Sequence, residues 1–142
     1  MDYKYIVGVD CGVKTGYAVW DKSEKKLITV ETIKLYQFFE KIHELYKENE
    51  EILIRIENPN TWFPFNKQER KNAAFRMQGA GSVKRSYGAI IEFLTDYEIA
   101  FESIKLQGTL KKLNAEKFKQ ITKWEKATSE HGRDAAMMCF GF

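Results

Sequence analysis

The sequence predicts an α/β fold in which a mixed five-stranded sheet is flanked by helices. Three strand patterns follow one another before any helix, as in an antiparallel meander. Helical and strand patterns then alternate, which favours parallel strands added to the same sheet. We expect the first and fourth strands to lie in its middle. The predicted strands cover about residues 4–10, 16–21, 27–33, 51–57 and 99–104, and the predicted helices about 34–48, 82–97, 115–122 and 130–140.

The first hairpin, residues 5–20, presents an acid at a strand end. β-Branched side chains bury the first strand, and Asp10 closes it. A buried carboxylate is costly unless another group pairs with it. Gly12 and Gly16 let the chain reverse and leave space above the carboxylate. The hairpin therefore predicts a site around Asp10, with partners supplied by other parts of the chain.

The longer helices each have one apolar face. The face of the first helix consists of Phe38, Phe39, Ile42, Leu45 and Tyr46. The stripe of the second helix consists of Val83, Tyr87, Ile90, Ile91 and Leu94. The predicted N-caps are Ser82 for the second helix, Asn114 for the third, and Thr128 or Ser129 for the last.

The length of 142 residues suits one domain, residues 1–142, with a core of its own. Apolar residues make up 44% of the chain, which argues against disorder. No apolar run approaches the ~18 residues that a membrane span needs. Met1 to Lys4 lead straight into a strand, so we expect no signal peptide and a cytoplasmic protein. Cys11 and Cys139 lack CxxC spacing and are predicted to be buried thiols.

Positive charge is concentrated in two blocks, although the net charge is only +3 at pH 7. Residues 66–88 carry six basic residues against Glu69, and residues 105–126 carry seven lysines against two acids. Such blocks favour a polyanion as a partner, and two solvated helix faces are the alternative. The basic residues of the first block are Lys67, Arg70, Lys71, Arg76, Lys84 and Arg85.

Three acids stand at the ends or beginnings of predicted elements. Asp10 and Glu57 close two strands, and Asp134 lies early in the last helix, three residues after His131. Carboxylates that converge repel one another unless a cation lies between them. Mg²⁺ and Mn²⁺ prefer such oxygen ligands, and two ions about 3.5–4 Å apart can cleave a phosphodiester. The alternative is that each acid is an ordinary turn, edge or helix-dipole residue.

Three motifs, in this order along the chain, resemble those of RuvC-type Holliday junction resolvases. The run Ile-Val-Gly-Val-Asp-Cys-Gly at residues 6–12, with Thr-Gly-Tyr at 15–17, is similar to their opening hairpin. Ile-Arg-Ile-Glu at 54–57 is similar to their second acidic strand, and His-Gly-Arg-Asp-Ala-Ala at 131–136 to their closing helix. The resemblance covers nearly the whole chain, and the compact form looks more like a phage version.

This resemblance implies an RNase H-like fold and a homodimer that nicks two strands of a four-way DNA junction with magnesium. Asp10, Glu57 and Asp134 would hold two ions, for which Mn²⁺ could substitute, and His131 would be a ligand or a proton-transfer group. In the family, an aromatic residue in the loop after the second acid stacks at the junction centre. The candidates for that contact are Trp62, Phe63 and Phe65. The candidates for basic contacts in the second block are Lys117 and Lys119.

Other functions are compatible with parts of the pattern. A related nuclease of the same fold could act on branched DNA generally or on RNA. The turn at Asp10 also resembles the first phosphate loop of actin-like ATPases, but those need a second, similar lobe, and the chain is too short for one, so no nucleotide cofactor is expected. A non-catalytic DNA-binding module is the remaining alternative, and the presence of all three acids argues against it.

Overall fold

The computed structural model describes residues 2–59, 73–106 and 112–142, with the backbone alone at residues 73–80 and 82. The strands are β1 (Tyr5–Asp10), β2 (Thr15–Asp21), β3 (Lys26–Ile33), β4 (Ile52–Glu57) and β5 (Phe101–Ile104). The helices are α1 (Leu35–Glu48), α2 (Ala73–Asp96), α3 (Ala115–Thr122) and α4 (Glu130–Cys139).

The five strands form one mixed sheet in the order β3-β2-β1-β4-β5. β1 pairs antiparallel with β2, where Val7 lies opposite Val19, and parallel with β4, where Val7 lies beside Ile54. β5 continues the parallel half of the sheet beyond β4. The predicted fold class is therefore confirmed, and so is the central position of β1 and β4.

Side chains alternate across the sheet and supply two separate apolar cores. Val7 and Val9 of β1 face α1 and α2, and they are buried against Phe38 of α1 and Leu94 of α2. Ile6 faces the other way and joins the core under α3 and α4. Because every second residue of β1 shares that face, Asp10 also lies on the α4 side of the sheet.

The apolar faces predicted for the two long helices are confirmed. On α1, Phe38 and Ile42 are fully buried, and the other predicted residues are partly buried. On α2, Ile90 and Leu94 are fully buried. Asn114 caps α3 by accepting a hydrogen bond from the Lys117 amide at 2.8 Å.

The predicted start of α2 is wrong. The helix runs from residue 73 to residue 96, so Ser82 lies in its interior and is not its N-cap. A glycine inside a helix costs only about 1 kcal/mol relative to alanine. Each residue added to an existing helix also gains a backbone hydrogen bond. The glycines at 79 and 81 therefore do not end the helix that the apolar stripe anchors.

Both cysteines are buried, as predicted. Burial raises the pKa of each thiol to about 12, so neither forms a thiolate near neutral pH. None of the helices in the described part of the chain is both long and apolar enough to pass through a membrane.

Candidate active site

Two of the predicted acids lie side by side at one end of the sheet. Asp10 is the last residue of β1, and Glu57 is the last residue of β4. The parallel register pairs Val9 with Ile56, so the two acids that follow occupy neighbouring positions on the α4 face. Parallel pairing thus brings together two residues that are 47 positions apart in the sequence.

Helix α4 lies directly on the backbone of β1 and β2, and two glycines permit this contact. A Cβ atom at Gly8 would lie 1.8 Å from the carbonyl oxygen of Ala135. A Cβ atom at Gly16 would lie 2.1 Å from the carbonyl oxygen of His131. Real Cβ atoms cannot approach an oxygen so closely, so only glycine fits at either position. The close approach brings the first turns of α4 over Asp10.

The role predicted for Gly16 is only partly right. We expected Gly12 and Gly16 to let the chain reverse, and Gly12 does lie in the connection between β1 and β2. Gly16 instead lies within β2, directly opposite Asp10. The space that it leaves above the carboxylate is filled by the backbone of α4, because the missing Cβ admits the His131 carbonyl group.

The N-terminus of α4 is fixed to the sheet by a capping serine. Ser129 Oγ accepts a hydrogen bond from the Gly132 amide at 3.1 Å, which confirms Ser129 as the N-cap. The same hydroxyl is hydrogen-bonded to the hydroxyl of Thr32 in β3. The cap therefore sets both the start of the helix and its place on the sheet.

Asp10 is buried, with 8% of its surface exposed, and it contacts His131. Its Oδ2 atom lies 2.9 Å from Nδ1 of His131. Burial raises the pKa of Asp10 to about 6, against the lowering effect of the His131 contact. The negative charges of Glu57 and Asp134 raise this pKa further, so the three carboxyl groups lie within electrostatic reach of one another.

Asp134 is buried as well, and its contacts were not predicted. Its Oδ1 atom accepts a hydrogen bond from the backbone amide of Lys112 at 2.9 Å. The neighbouring Arg133 donates from Nε to the carbonyl oxygen of Leu113 at 2.7 Å. A backbone donor has no sequence signature, whereas an arginine within an otherwise small-residue motif is a visible but ambiguous signal.

The side chains around Asp10 match a divalent cation in chemistry. In the described part of the chain, no three Asp, Glu, His or Cys side chains already stand as a complete metal-binding group. The donors are nevertheless mainly carboxylate oxygens, the ligands that Mg²⁺ and Mn²⁺ prefer, with one imidazole beside them. Burial is the main cause of the raised pKa of Asp10, with smaller contributions from Glu57 and Asp134, and a bound cation would favour the ionised carboxylate. Metal binding would require the acids to draw closer together.

The predicted nucleic-acid contacts fall into two groups. Lys84 and Arg85 on α2 are exposed, as are Lys117 and Lys119 on α3. Arg76 lies within α2, but its side chain is outside the described atoms. The predicted contacts that lie outside the described residues are Trp62, Phe63, Phe65, Lys67, Arg70 and Lys71.

The strand order and the flanking helices are those of the RNase H-like fold. Among solved structures, the chain is similar to RuvC of Thermus thermophilus. It matches RuvC in complex with a Holliday junction substrate with a TM-score of 0.64 and 12% identity, covering 97% of this chain and 91% of that one. A second T. thermophilus RuvC structure matches with a TM-score of 0.64 and 14% identity, covering 96% and 91%. The RuvC-like fold predicted from the three motifs is thereby confirmed.

The sequence comparisons give no further relatives. No known family model matches the sequence, and no curated protein matches it.

Proposed function

We propose that this protein is a metal-dependent endonuclease that resolves four-way DNA junctions by paired nicks, acting as a homodimer. The main support is the grouping of three acids from distant positions, 10, 57 and 134, around one end of the sheet. The fold adds to this support, because it is shared with T. thermophilus RuvC, which has been solved with a Holliday junction substrate.

The proposed ligands of the divalent ions are Asp10, Glu57 and Asp134. Two Mg²⁺ ions, or Mn²⁺ in their place, would supply activation of a water molecule and stabilisation of the leaving oxygen. Asp10 is the proposed central ligand, because it lies beside Glu57 in the parallel register and contacts His131 in the first turn of α4. Asp134 keeps acceptor capacity for a cation, since the Lys112 amide occupies only one of its oxygens.

His131 is the proposed proton-transfer group. An ionised Asp10 can only accept a hydrogen bond, so Nδ1 of His131 carries the hydrogen that it donates. In the neutral ring, Nε2 is then free to accept a proton from the attacking water or to ligate a cation. The His131 side chain is 54% exposed, which leaves it accessible to a substrate.

The proposed substrate is branched DNA with its phosphates on the basic surface. Lys84 and Arg85 on α2, together with Lys117 and Lys119 on α3, are exposed cations suited to backbone phosphates. The other proposed basic contacts are Lys67, Arg70, Lys71 and Arg76. Stacking of a base on Trp62, Phe63 or Phe65 would contribute about 1–3 kcal/mol to junction binding.

The first test replaces the central carboxylate. Asp10→Asn should abolish cleavage of a four-way junction in Mg²⁺ or Mn²⁺, because the substituted amide binds hard cations poorly. Junction binding, measured by electrophoretic mobility shift, should remain. Nicking by Asp10→Asn at the wild-type rate would refute the proposed role of this residue.

Asp21→Asn is the matched control. Asp21 is also buried at a strand end, but it accepts hydrogen bonds from the amides of Ser23 and Glu24 in the next turn. Its partner in the β1 register is Tyr5, at the opposite end of β1 from Asp10. The asparagine keeps an acceptor for the turn, so cleavage should persist in this variant.

The alternative functions are separated by substrate and metal. Four-way junction, flap, duplex and RNA–DNA hybrid are cut in parallel under the same conditions. Preference for the junction supports a resolvase, whereas equal cutting of flaps or hybrids supports a broader nuclease. A protein that binds DNA but gives no heat with Mn²⁺ in calorimetry would instead be a non-catalytic binding module.

A further inference from the structure

One arginine of α4 contacts the chain both before and after α3. Arg133 donates from Nε to the Leu113 carbonyl oxygen at 2.7 Å. Its Nη1 atom lies 3.1 Å from both the carbonyl oxygen and the hydroxyl of Thr128. Leu113 and Thr128 flank the segment that contains α3. One guanidinium group therefore closes the base of that segment, which we call the α3 excursion (residues 113–128).

The closed base fixes the backbone amide that contacts Asp134. Lys112 directly precedes the α3 excursion, and its amide donates to Asp134 Oδ1 at 2.9 Å. Lys112 has a φ angle of +56°, in the left-handed region that a side chain disfavours. Such a conformation persists only where its surroundings hold it. Here the Leu113 side chain is buried in the core under α4, and its carbonyl oxygen is bound by Arg133.

We propose that Arg133 is a positioning residue for Asp134. It acts through the backbone: Arg133 holds Leu113, and the fixed Lys112 amide then holds one oxygen of the Asp134 carboxylate. Within the described part of the chain, no hydrogen-bond donor to the other oxygen is seen. This inference rests on the proposed function only in that Asp134 is taken to be a metal ligand.

The geometry distinguishes this role from simple charge pairing. Within the residues that the structure describes, Arg133 donates to two backbone carbonyl oxygens and one hydroxyl, and to no carboxylate. Lysine keeps the charge but lacks the planar fork, so it cannot reproduce the bonds to both ends of the α3 excursion. Methionine keeps much of the stem and removes the charge and the donors.

The direct test is amide hydrogen exchange on the metal-free full chain. In Arg133→Met, the Lys112 amide should lose protection by about tenfold or more, because the backbone that presents this donor to Asp134 is no longer fixed. The Phe140 amide, which donates to Ala136 at the end of α4, should keep its protection. Arg133→Lys should change the Lys112 amide in the same direction. Lys22→Met, an exposed lysine in the β2–β3 turn, should change neither amide.

The second readout is the affinity for Mn²⁺, measured by calorimetry and as the concentration that half-saturates cleavage. Loss of a residue that orients a ligand typically lowers metal affinity by about 10–100-fold. Arg133→Met should show a loss in this range, and saturating Mn²⁺ should restore part of the cleavage rate. Lys22→Met should match the wild-type protein.

Two results would overturn the proposal. One is unchanged Lys112 protection and unchanged Mn²⁺ affinity in a folded Arg133→Met protein. The other is loss of protection throughout α4 in both Arg133 variants, which would make the arginine a general stabiliser of the fold. A wild-type protein that binds Mn²⁺ but cuts no nucleic acid would refute the proposed function alone, because exchange and metal binding do not depend on cleavage.

Discussion

At the scale of single residues, Asp10 combines burial with negative neighbours. Its pKa is raised from 3.8 to about 6, mainly by burial. The folded metal-free protein therefore binds a proton at Asp10 more tightly than the unfolded chain does. Stability from this group is present below pH 4 and is lost as the pH rises through about 6. Above that pH the ionised carboxylate destabilises the fold, a cost that is typical of buried acids in functional sites.

The direction of this pKa shift gives a prediction for the stability of the metal-free protein. At pH 7.5, Asp10→Asn should be more stable than the wild type by up to about 3 kcal/mol, because it removes a buried charge. Near pH 4 the difference should largely vanish. Urea unfolding in the presence of a chelator, at both pH values, measures the effect. Lower stability of Asp10→Asn at pH 7.5 would contradict the burial cost assigned to this carboxylate.

Addition of Mg²⁺ should make the wild type more stable than Asp10→Asn. Cation binding to the folded state stabilises it by mass action, and the wild type has the central ligand that the variant lacks. The midpoint of unfolding should therefore rise with Mg²⁺ in the wild type and stay nearly constant in Asp10→Asn. An equal rise of the unfolding midpoint in both proteins would show that the ion binds elsewhere, not at Asp10.

At the scale of elements, the site depends on the contact of α4 with the sheet. Gly8→Ala and Gly16→Ala should each displace the helix, since the added Cβ would overlap a backbone carbonyl oxygen. We expect a loss of at least about 1–3 kcal/mol in the free energy of unfolding, together with a large loss of cleavage. Urea unfolding and junction cleavage measure the two effects.

Lys47→Ala is the control for these two variants. Lys47 is exposed in the last turn of α1, away from the contact between α4 and the sheet. Its substitution should change the free energy of unfolding by no more than about 0.5 kcal/mol and leave cleavage unchanged. Unchanged stability of Gly8→Ala would show that α4 can move away from β1 at little cost.

Much of this arrangement could be predicted from the sequence because its signals are local. Alternation of apolar residues gave the strands, and the helical stripes gave α1 and the second half of α2. Asn114 could also be predicted as the N-cap of α3, because asparagine is favoured at that position. The positions of the acids at strand ends could be predicted as well, since Asp10 closes a β-branched apolar run and Glu57 closes an alternating one.

The remainder depends on contacts between distant backbones. Position 16 must be glycine because its missing Cβ admits the carbonyl group of His131, which is 115 residues later in the chain. The residue type alone suggested a turn. The Lys112 amide that binds Asp134 belongs to no side chain and leaves no trace in the sequence. The start of α2 was missed because the backbone hydrogen bonds gained on extending a helix outweigh the low helix propensity of two glycines.

At the scale of the whole molecule, the proposed reaction requires two sites. Symmetric cutting of two opposed strands is achieved most simply by a two-fold dimer, in which each copy supplies one site. The candidate interface is α2, where Ala80, Gly81 and Gly88 would permit close approach of a second copy. We expect a mass in solution of twice the 16.6 kDa of one chain.

Mixed dimers provide the functional test of this assembly. When wild type and Asp10→Asn are combined in equal amounts and allowed to exchange subunits, mixed dimers should nick only one strand of a junction. Nicked, unresolved junctions should therefore accumulate relative to the wild type alone. A monomeric mass together with undiminished resolution of both strands would contradict the dimer.

The direct contact of the α4 backbone with β1 at Gly8 also limits how this molecule can adjust. No side chains lie between the backbones of α4 and β1 at that point. Direct contacts between main-chain atoms can be compressed very little, so the distance between helix and strand is nearly fixed. We therefore expect α4 and β1 to move together as one rigid unit. If the three acids bind an ion, we expect them to converge on it by rotation of their own side chains, while the backbones of α4 and β1 keep their relative position.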